Sequence, residues 1–320
     1  MKRLLNIHEA PTILFTLLIG IIFAFISPAF LGLDNVKLIL DQNTTTCIVA
    51  IGMTMVILLG GIDLSVGSVL ALTATSVGLF LSSGMSPWLA SLLGVAVGVL
   101  CGIFNGYFIA VLNIPDIIVT LASMYIFRGL AVGISGGTWM TNFPSQFQFF
   151  GQGKLLGISF PLLVAIILVI GFVLLLKFTR FGRRIYAIGG NKSAARLAGI
   201  GIAKSKFTVY VYSGMLVGIA AVIFASKVGS VQASTAGSNL SFEVMAAVLI
   251  GGGSIFGGIG TIAGTVVGVL LMGMIKNGLI IAKVSPFWVD AATGFLIILA
   301  IVINTLQHVR QNRRKGGELI

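Results

Sequence analysis

Long apolar runs, separated by short polar segments, are the feature that most restricts the fold of this 320-residue chain. Many of them approach about 20 residues, the length that crosses a hydrocarbon core about 30 Å thick. The runs are continuously apolar rather than alternating, which favours helices over a β-barrel. With 57% hydrophobic and 9% charged residues, the chain lacks the polar surface of a water-soluble globule. We therefore predict an all-α, polytopic membrane protein, with residues 1–320 forming a single integral membrane domain.

The apolar runs predict about ten transmembrane helices. Their expected bounds are Pro11–Phe30, Thr44–Gly60, Leu64–Ser83, Pro87–Leu112, Ile117–Ser135, Phe160–Lys177, Phe207–Lys227, Glu243–Gly258, Thr261–Ala282 and Phe287–Leu306. The first run is longer than the apolar core of a signal peptide and lacks an A-x-A cleavage pattern, so we expect an uncleaved span. The eighth run is short, and the turns after the second, fourth and eighth are tight; broken or re-entrant helices are the alternative there.

Lysine and arginine predict the orientation of these spans. Eight basic residues and no acidic residue lie between Lys177 and Lys206, which marks this segment as cytoplasmic. Lys2 with Arg3 and the basic stretch from Arg310 to Lys315 mark both termini in the same way. Ten spans, six of them before the basic loop, satisfy these constraints. We expect cytoplasmic termini, a cytoplasmic loop at about 178–206 and an external loop at about 136–159.

A faint internal repeat is visible in two glycine-rich segments. VILLGGIDLSVGS at Val56–Ser68 aligns with VLIGGGSIFGGIG at Val248–Gly260, with an offset of 192 residues. The same offset superposes the first four predicted spans on the last four and would make the repeat parallel. The shared apolar composition of membrane segments is the alternative explanation.

Glycines at four-residue spacing predict close contacts between helices. The fourth and ninth predicted spans carry the two series Gly94, Gly98, Gly102, Gly106 and Gly260, Gly264, Gly268. Four-residue spacing places these glycines on one helix face, where the absence of side chains lets another backbone approach. We assign them to helix packing rather than to substrate contact.

A few polar residues interrupt the apolar runs and require an explanation, because ionisable groups within a membrane are costly. Arg128 lies inside the fifth predicted span. Asp63 follows the Gly60-Gly61 turn, where its carboxylate can cap the third helix, with Ser65 as a second cap. A role for Asp63 in gating or in lining a pathway is the alternative. The candidates for lining or gating a pathway are Asp63, Ser65, Asn105, Glu243 and Ser254.

Several classes of function are disfavoured by the residues that the sequence lacks. Both histidines, His8 and His308, are near the termini and no acid lies firmly in mid-span, which argues against coupling to an ion gradient. GGNKS at Gly189–Ser193 lacks the phosphate-loop pattern, so energy, if used, would come from another subunit. The sequence shows no cluster of nucleophile, base or metal-ligand residues that would indicate an enzyme. Cys47 and Cys101 lie in apolar runs without a partner motif, which argues against disulfides, zinc binding and redox chemistry. The basic residues do not form a nucleic-acid-binding pattern.

The basic loop contains a predicted short helix. Asn191 or Ser193 can cap a helix through Ala194–Leu197, and Gly199 can end it. Such a helix suits docking into a groove of a partner protein. A surface helix held against anionic lipid by its positive charge is the alternative.

Four segments carry a family resemblance: GGIDLSVGS, NIPDIIVTLASMYIFRG, GRRIYAIGGNKSAARLAGI and EVMAAVLIGGGSIFGGIGTIAGT. Together they resemble the membrane subunits of bacterial ATP-driven importers of the ribose, xylose, rhamnose and autoinducer-2 group, over almost the whole chain. The resemblance implies a ten-helix permease of the bacterial inner membrane that pairs with a second permease copy or a paralogue. It further implies two ATP-binding subunits or one tandem ATPase, which would bind ATP and Mg²⁺, and an external sugar-binding protein.

The resemblance also implies that the segment Gly190–Gly199 couples the permease to the ATPase. Its candidate coupling residues are Gly190, Asn191, Ala194, Ala195, Arg196 and Gly199. Asp116 departs from the family pattern, which often has serine there. We expect a permease subunit for a monosaccharide or similar solute, without its own ATPase site. A stand-alone facilitator or secondary carrier and a membrane-embedded enzyme are the alternatives. The aromatic-rich external loop suits either the binding protein or anchoring in the headgroup layer.

Overall fold

A computed structural model describes residues 10–285 of the chain together with positions 288, 291, 294, 295, 298 and 302. The tenth predicted span, Phe287–Leu306, and the basic residues near both termini therefore lie largely outside the described residues. Within the described part the chain is predominantly helical. Its helices, in order, are α1 Ala10–Ile26, α2 Leu33–Gln42, α3 Thr44–Leu58, α4 Val66–Ser82, α5 Pro87–Gly106, α6 Asp116–Ser135, α7 Phe149–Gln152, α8 Phe160–Phe178, α9 Arg180–Gly190, α10 Lys192–Leu197, α11 Ile202–Val228, α12 Leu240–Ile250 and α13 Ile262–Ile281.

Two short non-α helical segments extend this pattern. A 3₁₀ turn at Pro28–Leu31 follows α1, and a π-helical turn at Tyr107–Val111 continues α5. Two small antiparallel β-ladders join loops: β1 Trp139–Met140 pairs with β4 Val231–Gln232. β2 Lys154–Leu155 pairs with β3 Ile158–Ser159 as a hairpin within the predicted external loop.

Five described helices are long and apolar enough to cross a membrane alone. They are Pro87–Val111, Asp116–Ser135, Phe160–Phe178, Ile202–Val228 and Ile262–Ile281. The other predicted spans within residues 10–285 form shorter apolar helices, at α1, α3, α4 and α12. The runs of α3, α4 and α12 include parts of glycine-rich turns that are not helical, and the run of α1 continues into the 3₁₀ turn at Pro28–Leu31. Hydropathy alone therefore overestimated the length of the α-helices.

The core of the described part centres on α3, α4 and α11. α3 and α4 are buried on nearly every face, and α11 packs along α5, α3 and α4. Outer helices such as α6 and α8 expose apolar side chains on one side, as expected for helices in contact with lipid or with another subunit. A smaller cluster of Phe23, Phe30 and Ile39 attaches the α1–α2 region to α13.

Two predictions about connecting segments were incomplete. The first two predicted spans leave residues 31–43 as an external connection, and the structure shows that this connection contains α2. The basic loop 178–206 contains α9 in addition to the expected short helix, and α11 begins at Ile202 rather than at Phe207. The segment from Phe178 to Lys206 is therefore almost entirely structured, which gives the predicted docking helix a firm base.

Candidate functional site

The opening of α4 is organised by a buried polar network. Asp63 is 3% exposed, and its Oδ1 accepts hydrogen bonds from the Ser65 backbone N–H at 2.9 Å and from Ser65 Oγ at 2.6 Å. Asn105 on α5 donates from Nδ2 to Ser65 Oγ at 2.8 Å. The carboxylate thus closes the turn one residue before α4 begins at Val66, and it fixes α5 against that turn.

Asp63, Ser65 and Asn105 were three of the five pathway candidates, and the structure brings these three together. All three are at most 3% exposed, so they lie behind the surface rather than on an open cavity. The sequence predicts Ser65 as a second cap of α4, but its side chain makes no capping hydrogen bond. The Ser65 hydroxyl instead links Asp63 to Asn105. This arrangement favours the structural interpretation of Asp63.

The other two pathway candidates lie elsewhere. Glu243, in the first turn of α12, forms an ion pair with Lys276 of α13 at 2.7 Å. Ser254 is buried in the turn after α12, where its Oγ accepts from the backbone N–H of Phe256 at 3.3 Å. The five candidates therefore do not form one site. The sequence also predicts that Lys276, Lys283 and Asp290 cluster near the outer ends of the last two spans, where an ion pair is expected; Asp290 lies outside the described residues.

The predicted coupling segment forms an exposed helix at one end of the bundle, here called the basic end after the Lys177–Lys206 segment. Asn191 Oδ1 accepts from the Ala194 backbone N–H at 2.9 Å and so caps α10, and Gly199 adopts φ +73° after the helix ends. Ala195 is buried against the protein, whereas Arg196 and Leu197 project outward; Leu197 is 91% exposed. The exposed arginine and leucine give the end of α10 a surface that is both basic and apolar.

Three chain turns meet beneath this helix. The backbone N–H of Gly258 donates to the Leu58 carbonyl at 2.9 Å, which joins the turn after α12 to the turn after α3. Gly189, at the end of α9, packs directly against both groups, so that a side chain there has no room. Tyr186 Oη also donates to the Gly260 carbonyl at 2.8 Å. α9, which directly precedes α10, is thus attached to both glycine-rich turns.

The glycine series occupy close helix contacts. A Cβ at Gly98 would lie 2.5 Å from the Gly214 carbonyl oxygen and 2.8 Å from Gly218 Cα. Gly102 also faces α11, Gly106 faces Phe207, and Gly94 faces Val77 of α4. Gly268 packs on the Ala247 carbonyl, and Gly264 approaches Gly251, which brings α13 against α12.

Gly260 differs from its expected position on a helix. It lies two residues before α13, in the turn, with φ +143°, a conformation that favours glycine. The facing glycines of α11, Gly214 and Gly218, are also four residues apart. This spacing does not indicate which other helix they contact, so their pairing with α5 became visible only in the structure.

A polar recess, here called the Arg128 recess, opens beside α6. Its volume is about 200 Å³, and Gly67, Ser68, Tyr125, Arg128, Ser238 and Ser241 contribute to its lining. Arg128 Nη1 donates to the carbonyls of Ala233 and Ala236 at 2.7 and 2.6 Å. Arg128 had been noted within its span but not among the site candidates, and the serines of the recess come from distant segments.

Comparisons with known proteins agree with this architecture. The family of permease components of branched-chain amino acid transport systems matches residues 35–301. The ribose import permease of Bacillus subtilis is 40% identical over 89% of this chain and 88% of that protein. The ribose import permease of Escherichia coli K12 is 35% identical over 92% of this chain and 93% of that protein.

An autoinducer-2 import permease from Enterobacter is 32% identical over 95% of this chain and 88% of that protein. No solved structure matches the chain. The family model covers most of the chain, and these relatives align over nearly their whole lengths. The chain therefore belongs to the family of permease components of branched-chain amino acid transport systems, as a multi-pass protein of the bacterial inner membrane.

Proposed function

We propose that this chain is the membrane subunit of an ATP-driven importer for a monosaccharide or a similar small polyhydroxylated solute. Its relatives are permeases named for ribose and autoinducer-2 import, over most of both chains. The sequence carries no phosphate-loop pattern, so a partner subunit supplies the energy. Two permeases, identical or paralogous, associate with two ATP-binding subunits or one tandem ATPase and with an external binding protein. Ten transmembrane helices place both termini in the cytoplasm.

One observation carries this proposal: the exposed helix α10 directly follows α9, and Gly189 near the end of α9 packs against the turns that precede α4 and α13. ATP-driven closure of the partner subunits pushes on Arg196 and Leu197. The resulting displacement is transmitted through Gly189 to the turns before α4 and α13, because close backbone contacts at these turns leave no free space. Gly190, Asn191, Ala194, Ala195 and Gly199 set the shape of this element. The external loop 136–159 receives the binding protein.

The first test replaces Arg196 by glutamate in the full importer. Arg196 is exposed, so the change should leave membrane insertion and the unfolding temperature unaltered. Reversing a charge at a docking surface should weaken ATPase association about tenfold or more. The measurement is co-purification of the ATPase with the tagged permease.

Lys204→Glu provides the matched control, because Lys204 is also exposed and undergoes the same change of charge. It should retain the ATPase. Equal retention in both variants would contradict docking through α10. Uphill solute accumulation by the purified chain alone would instead favour a secondary carrier.

A further inference from the structure

Arg128 is a charged side chain within a helix of membrane-spanning length, and such residues are generally functional. It lies twelve residues after Asp116, where α6 begins, and therefore about 18 Å along the helix axis from the basic end. Its neighbours along α6 include exposed apolar side chains such as Ile126 and Leu130. Burial of a guanidinium at this depth requires a polar partner or access to water.

The partner of Arg128 is a length of non-helical backbone. Arg128 Nη1 holds the carbonyls of Ala233 and Ala236, which belong to the segment between α11 and α12. This segment reaches the start of α4: Ser241 Oγ donates to the Leu64 carbonyl at 2.8 Å and accepts from the Gly67 backbone N–H at 3.2 Å. Non-helical backbone at membrane depth is tolerated where it is buried in protein or lines a water-filled cavity.

The Arg128 recess lies at this junction and combines two kinds of surface. Ser238 Oγ donates to the Thr235 carbonyl at 2.7 Å and keeps lone pairs that can accept from a solute hydroxyl. Ser68 supplies a second hydroxyl, and Arg128 supplies a guanidinium with several N–H donors. Tyr125, 70% exposed in the single chain, supplies an aromatic face beside them. A polyhydroxylated ring presents hydroxyl groups at its edge and C–H groups on its face, so this combination matches its chemistry.

We propose that the Arg128 recess is a transit subsite that a polyhydroxylated solute contacts while it crosses the permease. The inference rests on the proposed function. Arg128 and Ser238 bind hydroxyl groups of the solute, and Tyr125 packs against its C–H face. The site is shallow and partly open, which suits a path that must release its cargo. By holding residues 233–236, Arg128 also keeps the wall of the recess in place.

The first test uses the complete importer in proteoliposomes with ribose as the probe solute. Tyr125→Ala and Arg128→Gln should each lower the amount of ribose moved per ATP hydrolysed about fivefold, the loss of one modest contact. ATPase association should stay unchanged, because neither residue lies on α10. Leu130→Ala is the control, since Leu130 is 50% exposed on the same helix but does not line the recess.

The second test measures occupancy of the recess directly. Ser238→Cys should react with a charged, membrane-impermeant thiol reagent, and ribose turnover should slow that reaction at least threefold. Ser83→Cys, on the exposed turn after α4, should react at the same rate with and without turnover. The parent protein, which contains Cys47 and Cys101, gives the background labelling.

The outcomes separate the two proposals. A wild-type complex that moves no solute with ATP would overturn both. Normal wild-type transport, with Tyr125→Ala and Ser238→Cys behaving like their controls, would overturn the subsite alone. Loss of permease pairing in Tyr125→Ala, with unchanged transport by the remaining pairs, would also overturn it. Because Arg128→Gln also frees the 233–236 segment, its unfolding temperature is measured beside that of Arg128→Lys, which keeps a cation for the carbonyls.

Discussion

Asp116, the acidic residue that departs from the family pattern, has a partner that sequence reasoning did not identify. Lys206 Nζ lies 2.9 Å from Asp116 Oδ1 and 3.2 Å from Oδ2, and both side chains are largely buried. The pair joins the start of α6 to the first turns of α11 and lies beside the Gly61 turn. The two residues are 90 positions apart, so no local pattern predicts their contact.

The ion pair predicts that the destabilising effects of substitutions at Asp116 and Lys206 are strongly non-additive. Asp116→Ser alone should destabilise the protein by about 2 kcal/mol, because Lys206 keeps a poorly solvated charge without its partner. Lys206→Met alone should have a similar effect, and the double variant should recover most of the loss. Unfolding temperatures of the purified permease in detergent give the coupling. Additive losses would show that the two side chains do not interact in solution.

The contact between α5 and α11 shows what the glycine spacing could and could not predict. The four-residue period of α5 predicts one bare helix face. The period does not identify the facing helix, because glycines four residues apart, such as Gly214 and Gly218 on α11, occur in several segments of the chain. In the structure the two backbones touch: a Cβ at Gly98 would lie 2.5 Å from the Gly214 oxygen. Such contacts provide van der Waals attraction that lipid does not replace.

Gly98→Leu should therefore separate α5 from α11. Because backbone atoms cannot move aside as a side chain can, we expect destabilisation of about 3 kcal/mol or more and a loss of monodisperse protein. Gly133→Leu on α6 is the control, since a Cβ there meets nothing within 4 Å. Yield, size-exclusion profile and unfolding temperature are compared. A normal Gly98→Leu protein would contradict the packing assignment.

Both glycine-rich turns of the faint repeat lie at the basic end of the bundle. α3 ends at Leu58 and α12 ends at Ile250, positions that the 192-residue offset makes equivalent. After them the two segments differ: α4 begins at Val66, whereas α13 begins at Ile262 after a longer turn. α9 packs across both turns through Gly189. α9 thus contacts the glycine-rich turn of each repeat segment.

Gly189→Ala should disturb this contact without touching the exposed face of α10. The added methyl group meets the Leu58 carbonyl and the Gly258 backbone, so both turns must shift. We expect ATPase association to persist and transport per ATP hydrolysed to fall about fivefold or more, since a shift near 1 Å is costly in a packed core. Gly201→Ala is the control, because its Cβ has only one ordinary contact at 3.9 Å. Equal coupling in both variants would argue against force transmission through Gly189.

The sequence by itself determined the membrane class, the helical composition, the family and the capped helix at Asn191. These features depend on hydropathy and on hydrogen bonds between residues close in the chain. Tertiary structure alone decided that Asp63, Ser65 and Asn105 form one network, that Asp116 pairs with Lys206, and that Arg128 meets the 233–236 segment. These contacts join residues up to 108 positions apart. In an apolar chain each polar group must find a partner wherever packing brings one, and packing is not encoded by local spacing.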